Sequence, residues 1–87
     1  MDRPVLLEWH DAHSPTPTGT WARLDDLERG PCVVRSCGFL VPKFKPGHVT
    51  VVQSVEGEHV DGPLSVPLGM VVRFVDLLSG ASLPVEP

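Results

Sequence analysis

CVVRSCGFLV, residues 32–41, is the stretch of this chain that decides its fold. Apolar side chains fall on both of its faces, which is typical of a strand in the middle of a sheet. Gly38 interrupts the run, and a glycine inside a strand indicates a bulge or a sharp bend. Residues 42–47, PKFKPG, then predict a turn, and residues 49–55, VTVVQSV, predict the returning strand of a long hairpin.

Three more strands are predicted around this hairpin. Residues 5–10, VLLEWH, alternate in polarity, with Val5, Leu7 and Trp9 on one face. Residues 64–66 predict a short strand, and residues 70–77 predict the last one. The Pro-Leu-Gly sequence between these two predicts a tight turn or one turn of 3-10 helix. Residues 56–62, EGEHVDG, predict a polar loop.

A short α-helix is predicted near residues 20–29. Trp21, Leu24 and Leu27 recur at three-residue spacing and define one apolar face. Two or three turns of helix are not stable alone, so we expect this face to dock on the sheet. Trp9 and Trp21 are expected to be core anchors, although two tryptophans are also the material of a ligand cage.

The order of the elements resembles that of SH3-like and Sm-like small barrels. The shared features are a short helix, a bent central hairpin, a short strand, a one-turn connection and a final strand. Five short strands in a chain of 87 residues cover their apolar faces best by curling. We therefore expect an all-β fold, either a small five-stranded barrel of this kind or a strongly bent antiparallel sheet. Residues 1–78 would form one domain, and residues 79–87 a flexible C-terminal tail.

A closer resemblance is to a group of short, uncharacterised proteins encoded by bacteriophages and prophages. The matching segments, besides Trp21, are W-x-D at residues 9–11, S-x-G-F-L-V at 36–41, V-x-V-V-x-S at 49–54 and V-P-x-x-x-V at 66–71. These are mostly core and turn residues. The resemblance therefore implies a shared fold and a phage-type protein rather than a particular activity.

Charge is unevenly distributed along the chain, whose net charge is −4. Residues 1–30 carry −3, residues 31–50 carry +3 and residues 51–87 carry −4. An acidic chain is a poor match for a phosphate backbone, so we do not expect nucleic acid to be its main partner. One basic segment in an acidic chain can form a small site for an anion or for a protein partner.

The two cysteines indicate the compartment. Cys32 and Cys37 are five residues apart, so in a strand they lie on opposite faces and about 16 Å apart. A disulfide between them is excluded, and two free thiols are typical of a reducing compartment. No stretch is predicted to span a membrane. We expect a cytoplasmic protein, in the host cytoplasm if a phage encodes it, with no membrane partner.

The most informative exposed feature is Lys43-Phe44-Lys45, at the predicted hairpin tip. Phe44 could stack on a base while the lysines, with Arg35, hold phosphate. It could equally anchor a protein partner. A third alternative has Phe44 folded back over the mouth of a barrel. The D-x-Φ-N loop of Sm-type RNA sites is absent here, which disfavours Sm-style RNA binding.

Catalytic and metal chemistry have weaker signals. His10, Asp11 and His13 form the densest polar cluster, but H-x-x-H across a strand end is not an established ligand spacing. Cys37 with His48 is a conceivable thiol site, although only Arg35 is near enough in sequence to lower the thiol's pKa. We expect no catalytic residues, no metal and no cofactor.

Three functional hypotheses follow. The first is a non-enzymatic binding or adaptor module that self-associates and acts on a host or phage protein through protein–protein contacts. The second is a binder of nucleic acid or of a small anionic nucleotide that uses the tip at residues 43–45. The third is a small metal or thiol enzyme. The size of the chain and the lack of a convergent catalytic set favour the first.

Overall fold

A computed structural model describes residues 2–11, 23–26, 30 and 32–85. This part of the chain is built from strands, as the sequence predicts, and its two helical segments are 3-10 turns. The strands are β1 (Pro4–Asp11), β2 (Cys32–Leu40), β3 (His48–Val52), β4 (Ser54–Glu56), β5 (His59–Asp61), β6 (Leu64–Pro67) and β7 (Val71–Asp76). The 3-10 turns span Leu24–Asp26 and Leu68–Met70. The all-β class is thereby confirmed.

Five strands form one antiparallel sheet in the order β6-β3-β2-β1-β7. β2, with apolar residues on both faces, is the middle strand, as the sequence predicts. The sheet is not a closed barrel: among the described residues β6 pairs only with β3, and β7 only with β1 and with a bridge from Ser82. Proline cannot donate a ladder hydrogen bond, so Pro63 and Pro67 keep β6 short and discourage closure.

The sheet is nevertheless bent around a small core. The buried members of this core come from four strands and are Val5, Leu7, Val49, Val51, Val66 and Phe74. Leu7 on β1 and Val51 on β3 belong to one cluster although β2 separates their strands, which requires curvature. Trp9 packs against this cluster and donates from Nε1 to Ser36 Oγ at 3.1 Å, so its predicted role as a core anchor is confirmed. Trp21 lies outside the described residues.

Strands β4 and β5 form a separate hairpin where the sequence predicts a polar loop. The hairpin continues the register of β3 and β6, since the pair Ser54–Asp61 lies three residues beyond the pair Val51–Leu64 on both strands. Gly57, at a φ of 58°, makes the tight turn. The alternation of polarity in Ser-Val-Glu and in His-Val-Asp covers only three residues on each strand, which is too short to predict a strand from the sequence.

The predicted α-helix near residues 20–29 is not seen where the structure describes the chain. Leu24–Asp26 is a single 3-10 turn, and Leu24 is 73% exposed rather than docked on the sheet. So short a segment has too few backbone hydrogen bonds to hold a helix without tertiary contacts. Residues 20–22 and 27–29 lie outside the described residues.

The chain after β7, where a flexible tail is predicted, turns back along that strand. Val75 bridges to Ser82, and the backbone N–H of Leu83 donates to the carbonyl oxygen of Phe74 at 2.8 Å. Leu83 also packs against the core. Residues 81–83 therefore occupy part of the free edge of β7.

Candidate binding surface

The turn between β2 and β3, residues 42–47, is hereafter called the tip. Lys43 adopts a φ of 55° and Gly47 a φ of 73°. A hydrogen bond from the His48 N–H to the Lys45 carbonyl oxygen, at 3.2 Å, closes the turn. Phe44 is 67% exposed. The alternative in which Phe44 plugs a barrel mouth is therefore wrong, because the sheet stays open and the ring lies outside the core.

A groove of about 310 Å³, the tip groove, lies between the tip and the β4–β5 hairpin. Its side chains are mostly apolar and are Val41, Phe44, Thr50, Val52, Glu58, Val60 and Pro63. Val52 and Thr50, on β3, are buried and form its floor. Phe44 belongs to one wall and Val60, which is 44% exposed, to the other. The groove is thus rigid at its base and apolar on both sides.

The two segments that flank the groove differ in charge. The tip has Lys43 and Lys45 and no acid. Residues 54–61, here called the acidic arm, have no lysine or arginine. They carry three carboxylates, those of Glu56, Glu58 and Asp61. The ion pairs within 4 Å among the described residues involve neither wall. Among the charged residues of these two segments, Glu58 lines the tip groove, whereas Lys43 lines a different cavity.

A second cavity, of about 210 Å³, lies beside the tip and extends towards the C-terminal segment. Its apolar lining includes Leu40, Phe74 and Pro84, and its polar lining includes Lys43 and His48. The Nδ1 atom of His48 lies 2.9 Å from the carbonyl oxygen of Pro46, which can only accept, so Nδ1 carries the hydrogen. Lys43 gives the lining of this cavity a cationic group.

Arg35 does not lie at the tip, so the predicted grouping of Arg35 with Lys43 and Lys45 is wrong. Arg35 lies five positions before the end of β2, which is about 17 Å along an extended strand. Its Nε donates to Oε1 of Glu8 at 3.3 Å, and Arg73 Nη1 donates to the same oxygen at 3.3 Å. Both guanidinium groups are more than half exposed. The sequence offered no signal for this three-residue ion cluster, because its members come from three strands.

The candidate metal and thiol residues do not converge where they are described. His10 and Asp11 are exposed at the end of β1, and His13 lies outside the described residues. Within the described ranges, no three His, Cys, Asp or Glu side chains are placed to share a metal ion. Cys32 and Cys37 are both free thiols, and Cys37 is exposed rather than buried. The register of β2 and β3 places Cys37 near Ser54, six residues along the chain from His48.

The tip groove thus combines an exposed aromatic side chain, a buried floor and one carboxylate, that of Glu58. Over residues 2–11, 23–26 and 32–85, no helix is long and apolar enough to cross a membrane. No protein-family model matches this chain, and no curated protein and no solved structure matches it.

Proposed function

We propose that this chain is a non-enzymatic binding or adaptor module of the phage or prophage type, which self-associates and acts through protein–protein contacts. The observation that carries the proposal is Phe44. It is 67% exposed beside an apolar groove, although the chain has only three phenylalanines with which to build a core. Aromatic anchors next to apolar pockets are the groups that dominate protein–protein affinity.

The backbone of the tip supports a binding role. Lys43 has a left-handed conformation, which costs a side-chain-bearing residue about 1–2 kcal/mol relative to its ordinary regions. Glycine or asparagine would relieve that cost. A strained lysine beside an exposed phenylalanine fits a binding surface, because strained backbone conformations cluster at functional sites.

The arrangement of strands supports kinship with SH3-like small barrels as part of this proposal. A bent central hairpin, a short strand, a 3-10 turn at Leu68–Met70 and a final strand occur in the order that the resemblance implies. The free thiols of Cys32 and Cys37 support a reducing compartment, and hence the cytoplasm of the host cell.

The non-enzymatic part is supported by the dispersal of the reactive side chains. Cys37 is on the exposed face of β2, whereas His48 is at the start of β3 and donates to a backbone carbonyl. A nucleophile needs a base within about 3 Å and a group that orients that base. Cys37 on β2 and His48 on β3 lie apart, since the register of these two strands aligns Cys37 with Ser54.

Binding of a nucleic acid or of a small anionic nucleotide is the second candidate. Lys43-Phe44-Lys45 favours it, because a ring between two ammonium groups suits a base and its phosphate. The acidic arm disfavours it, since Glu58 lines the same groove and would repel phosphate. Protein–protein contact therefore ranks first.

The test of the first candidate is a matched pair of substitutions in the immobilised full chain. Phe44→Ser removes the proposed anchor, and Leu78→Ser removes a side chain that is 76% exposed elsewhere. Proteins retained from an extract of the source cells should bind the wild type and the Leu78→Ser variant. They should be lost from the Phe44→Ser variant. Equal retention by all three chains would contradict the proposal.

The second candidate has its own measurement. Protein purified without nuclease treatment is examined for absorbance at 260 nm, and its affinity for oligonucleotides and nucleotides is measured. If this candidate holds, Lys43→Glu combined with Lys45→Glu abolishes binding. Unchanged binding in the double variant would exclude the tip as a phosphate site.

A further inference from the structure

We propose that the edge of β7 is a docking site for the C-terminal segment of a second copy of this chain, so that two copies exchange residues 81–85 about a twofold axis. The inference rests on the self-associating part of the proposed function and gives it a contact surface. Each copy would hold the segment of its partner in the position that its own segment occupies in the monomer.

The edge of β7 already binds an extended segment, which shows what chemistry it accepts. The backbone N–H of Asp76 donates to the carbonyl oxygen of Ala81 at 2.9 Å, and the N–H of Leu83 donates to that of Phe74 at 2.8 Å. The Leu83 side chain packs against the core. A second copy carries the same backbone groups and the same leucine, so its segment can make these contacts equally well.

The linker between β7 and this segment, residues 77–80, determines whether the segment stays with its own chain. Gly80 has a φ of 76°, and its N–H donates to the carbonyl oxygen of Asp76 at 2.7 Å. The N–H of Leu78 donates to Oδ1 of the same aspartate at 2.9 Å. The linker is exposed, so water replaces these hydrogen bonds when it extends. A short linker of this kind favours exchange between copies.

The linker is apolar for an exposed turn. Five of the nine large apolar side chains that are exposed among the described residues lie between positions 70 and 85. Within the linker, Leu77 is 47% and Leu78 is 76% exposed, although turns favour glycine, proline and small polar residues. In the exchanged dimer, the two linkers would run side by side across the twofold axis. Their leucines would then be removed from water, which the closed monomer does not achieve.

The opposite edge of the sheet disfavours self-association. β6 is four residues long and is bordered by Pro63 and Pro67, which lack a backbone donor. The new contact in the exchanged dimer is confined to the two linkers, since the docked segments make the same contacts as in the monomer. We therefore expect a monomer–dimer equilibrium in the micromolar range rather than a permanent dimer.

The first experiment traps the exchanged segment with a disulfide. Both native cysteines are replaced, by Cys32→Ala and Cys37→Ser. One chain then carries Val75→Cys, and a second, isotope-labelled chain carries Ser82→Cys. Positions 75 and 82 lie directly opposite each other, within the distance that a disulfide spans. Because neither chain contains both new cysteines, this disulfide can form only between copies.

The two chains are equilibrated together at high-micromolar concentration and then oxidised. The oxidising conditions are those under which a single chain with both substitutions closes its own disulfide. We expect mixed dimers, identified by mass, to exceed either homodimer about fivefold or more, because exchange holds the two cysteines together.

Ser54→Cys in place of Ser82→Cys is the matched control. Ser54 is also an exposed serine in a short extended segment, but its partner is Asp61 of the β4–β5 hairpin. Mixed dimers of this control with the Val75→Cys chain should form no more often than homodimers do. Equal yields for positions 54 and 82 would overturn the inference, and so would the absence of mixed dimers at both.

The second experiment alters the linker without introducing cysteines. Gly80→Val places a branched side chain at a left-handed φ and so disfavours the closed turn. By sedimentation velocity, we expect the dimer dissociation constant to fall about tenfold or more. Gly69→Val is the control, since a β carbon at either glycine meets nothing within 4 Å but only Gly80 has a positive φ. It should stay within about twofold of the wild type.

A chain that stays monomeric at high-micromolar concentration, both as the wild type and as Gly80→Val, would overturn the inference. So would an equal change in the dissociation constant for the two glycine variants.

These outcomes can be separated from a failure of the proposed function. Leu78→Ser should weaken the dimer about tenfold and still retain another protein, whereas Phe44→Ser should lose that protein and leave the dimer unchanged. Absence of exchange with intact retention through Phe44 overturns the exchange and leaves the binding module standing. Absence of both overturns both. A dimer that Phe44→Ser abolishes would also overturn the exchange, because it would use the tip groove.

Discussion

The carbonyl oxygen of Val52 lies 2.8 Å from the point where a β carbon on Gly38 would stand. The same β carbon would come within 3.1 Å of the Val51 side chain. Both contacts are closer than ordinary van der Waals distance, so the end of β3 can approach β2 this closely only if the residue at position 38 is glycine. Gly38 is thus a point of close approach between two backbones, and the register of β1 with β2 continues through it without a bulge.

Replacement of Gly38 by alanine should therefore destabilise the protein by about 1–3 kcal/mol, as overpacking of a tight contact does. Gly69→Ala is the control, since a β carbon there meets nothing within 4 Å. We expect that change to stay within about 0.5 kcal/mol of the wild type. Urea unfolding measures both. Equal midpoints for the two variants would show that the strands can separate without cost.

Glu8 should couple energetically to Arg73. A double-mutant cycle with Glu8→Gln and Arg73→Gln isolates the pair, and we expect a coupling of about 0.5–1 kcal/mol because the arginine is largely exposed. The coupling should fall at high salt, which screens surface charges. If the stability losses of the two single variants simply add up to that of the double variant, the ion cluster of Glu8 with Arg73 is contradicted.

Lys43→Gly and Lys45→Gly should change the stability of the protein by different amounts, although both substitutions remove a lysine side chain. Glycine relieves the left-handed strain only at position 43, where φ is 55°. At both positions it adds freedom to the unfolded chain, which lowers stability. We expect Lys43→Gly to be about 1 kcal/mol more stable than Lys45→Gly in chemical denaturation. An equal effect of the two changes would argue that the tip is unstrained.

Leu83→Ala should lower the unfolding midpoint more than Val85→Ala does. Leu83 packs against the core and its N–H bonds to Phe74, whereas Val85 is exposed. We expect a loss of about 1–2 kcal/mol at position 83 and less than about 0.5 kcal/mol at position 85. Similar midpoints for both variants would support the flexible tail that the sequence predicts.

The site was only partly accessible from sequence. The tip is identifiable from the sequence, because Phe44 stands between two lysines in a segment rich in turn-forming residues. The predicted grouping of the tip with Arg35 is wrong, because Arg35 lies five residues before the end of β2 and therefore far from the tip. The opposite wall, with Glu58 and Val60, was assigned to a loop. Its strands follow from the register of β3 and β6, which is a long-range property.

The sequence by itself determined the strands of the large sheet, because alternation of polarity is a local property. Only the tertiary structure decided that the sheet stays open and that Leu24 and Cys37 are exposed. It alone decided that Glu8 binds two arginines and that the tip faces an acidic arm. These features depend on register and curvature, which many distant contacts set together.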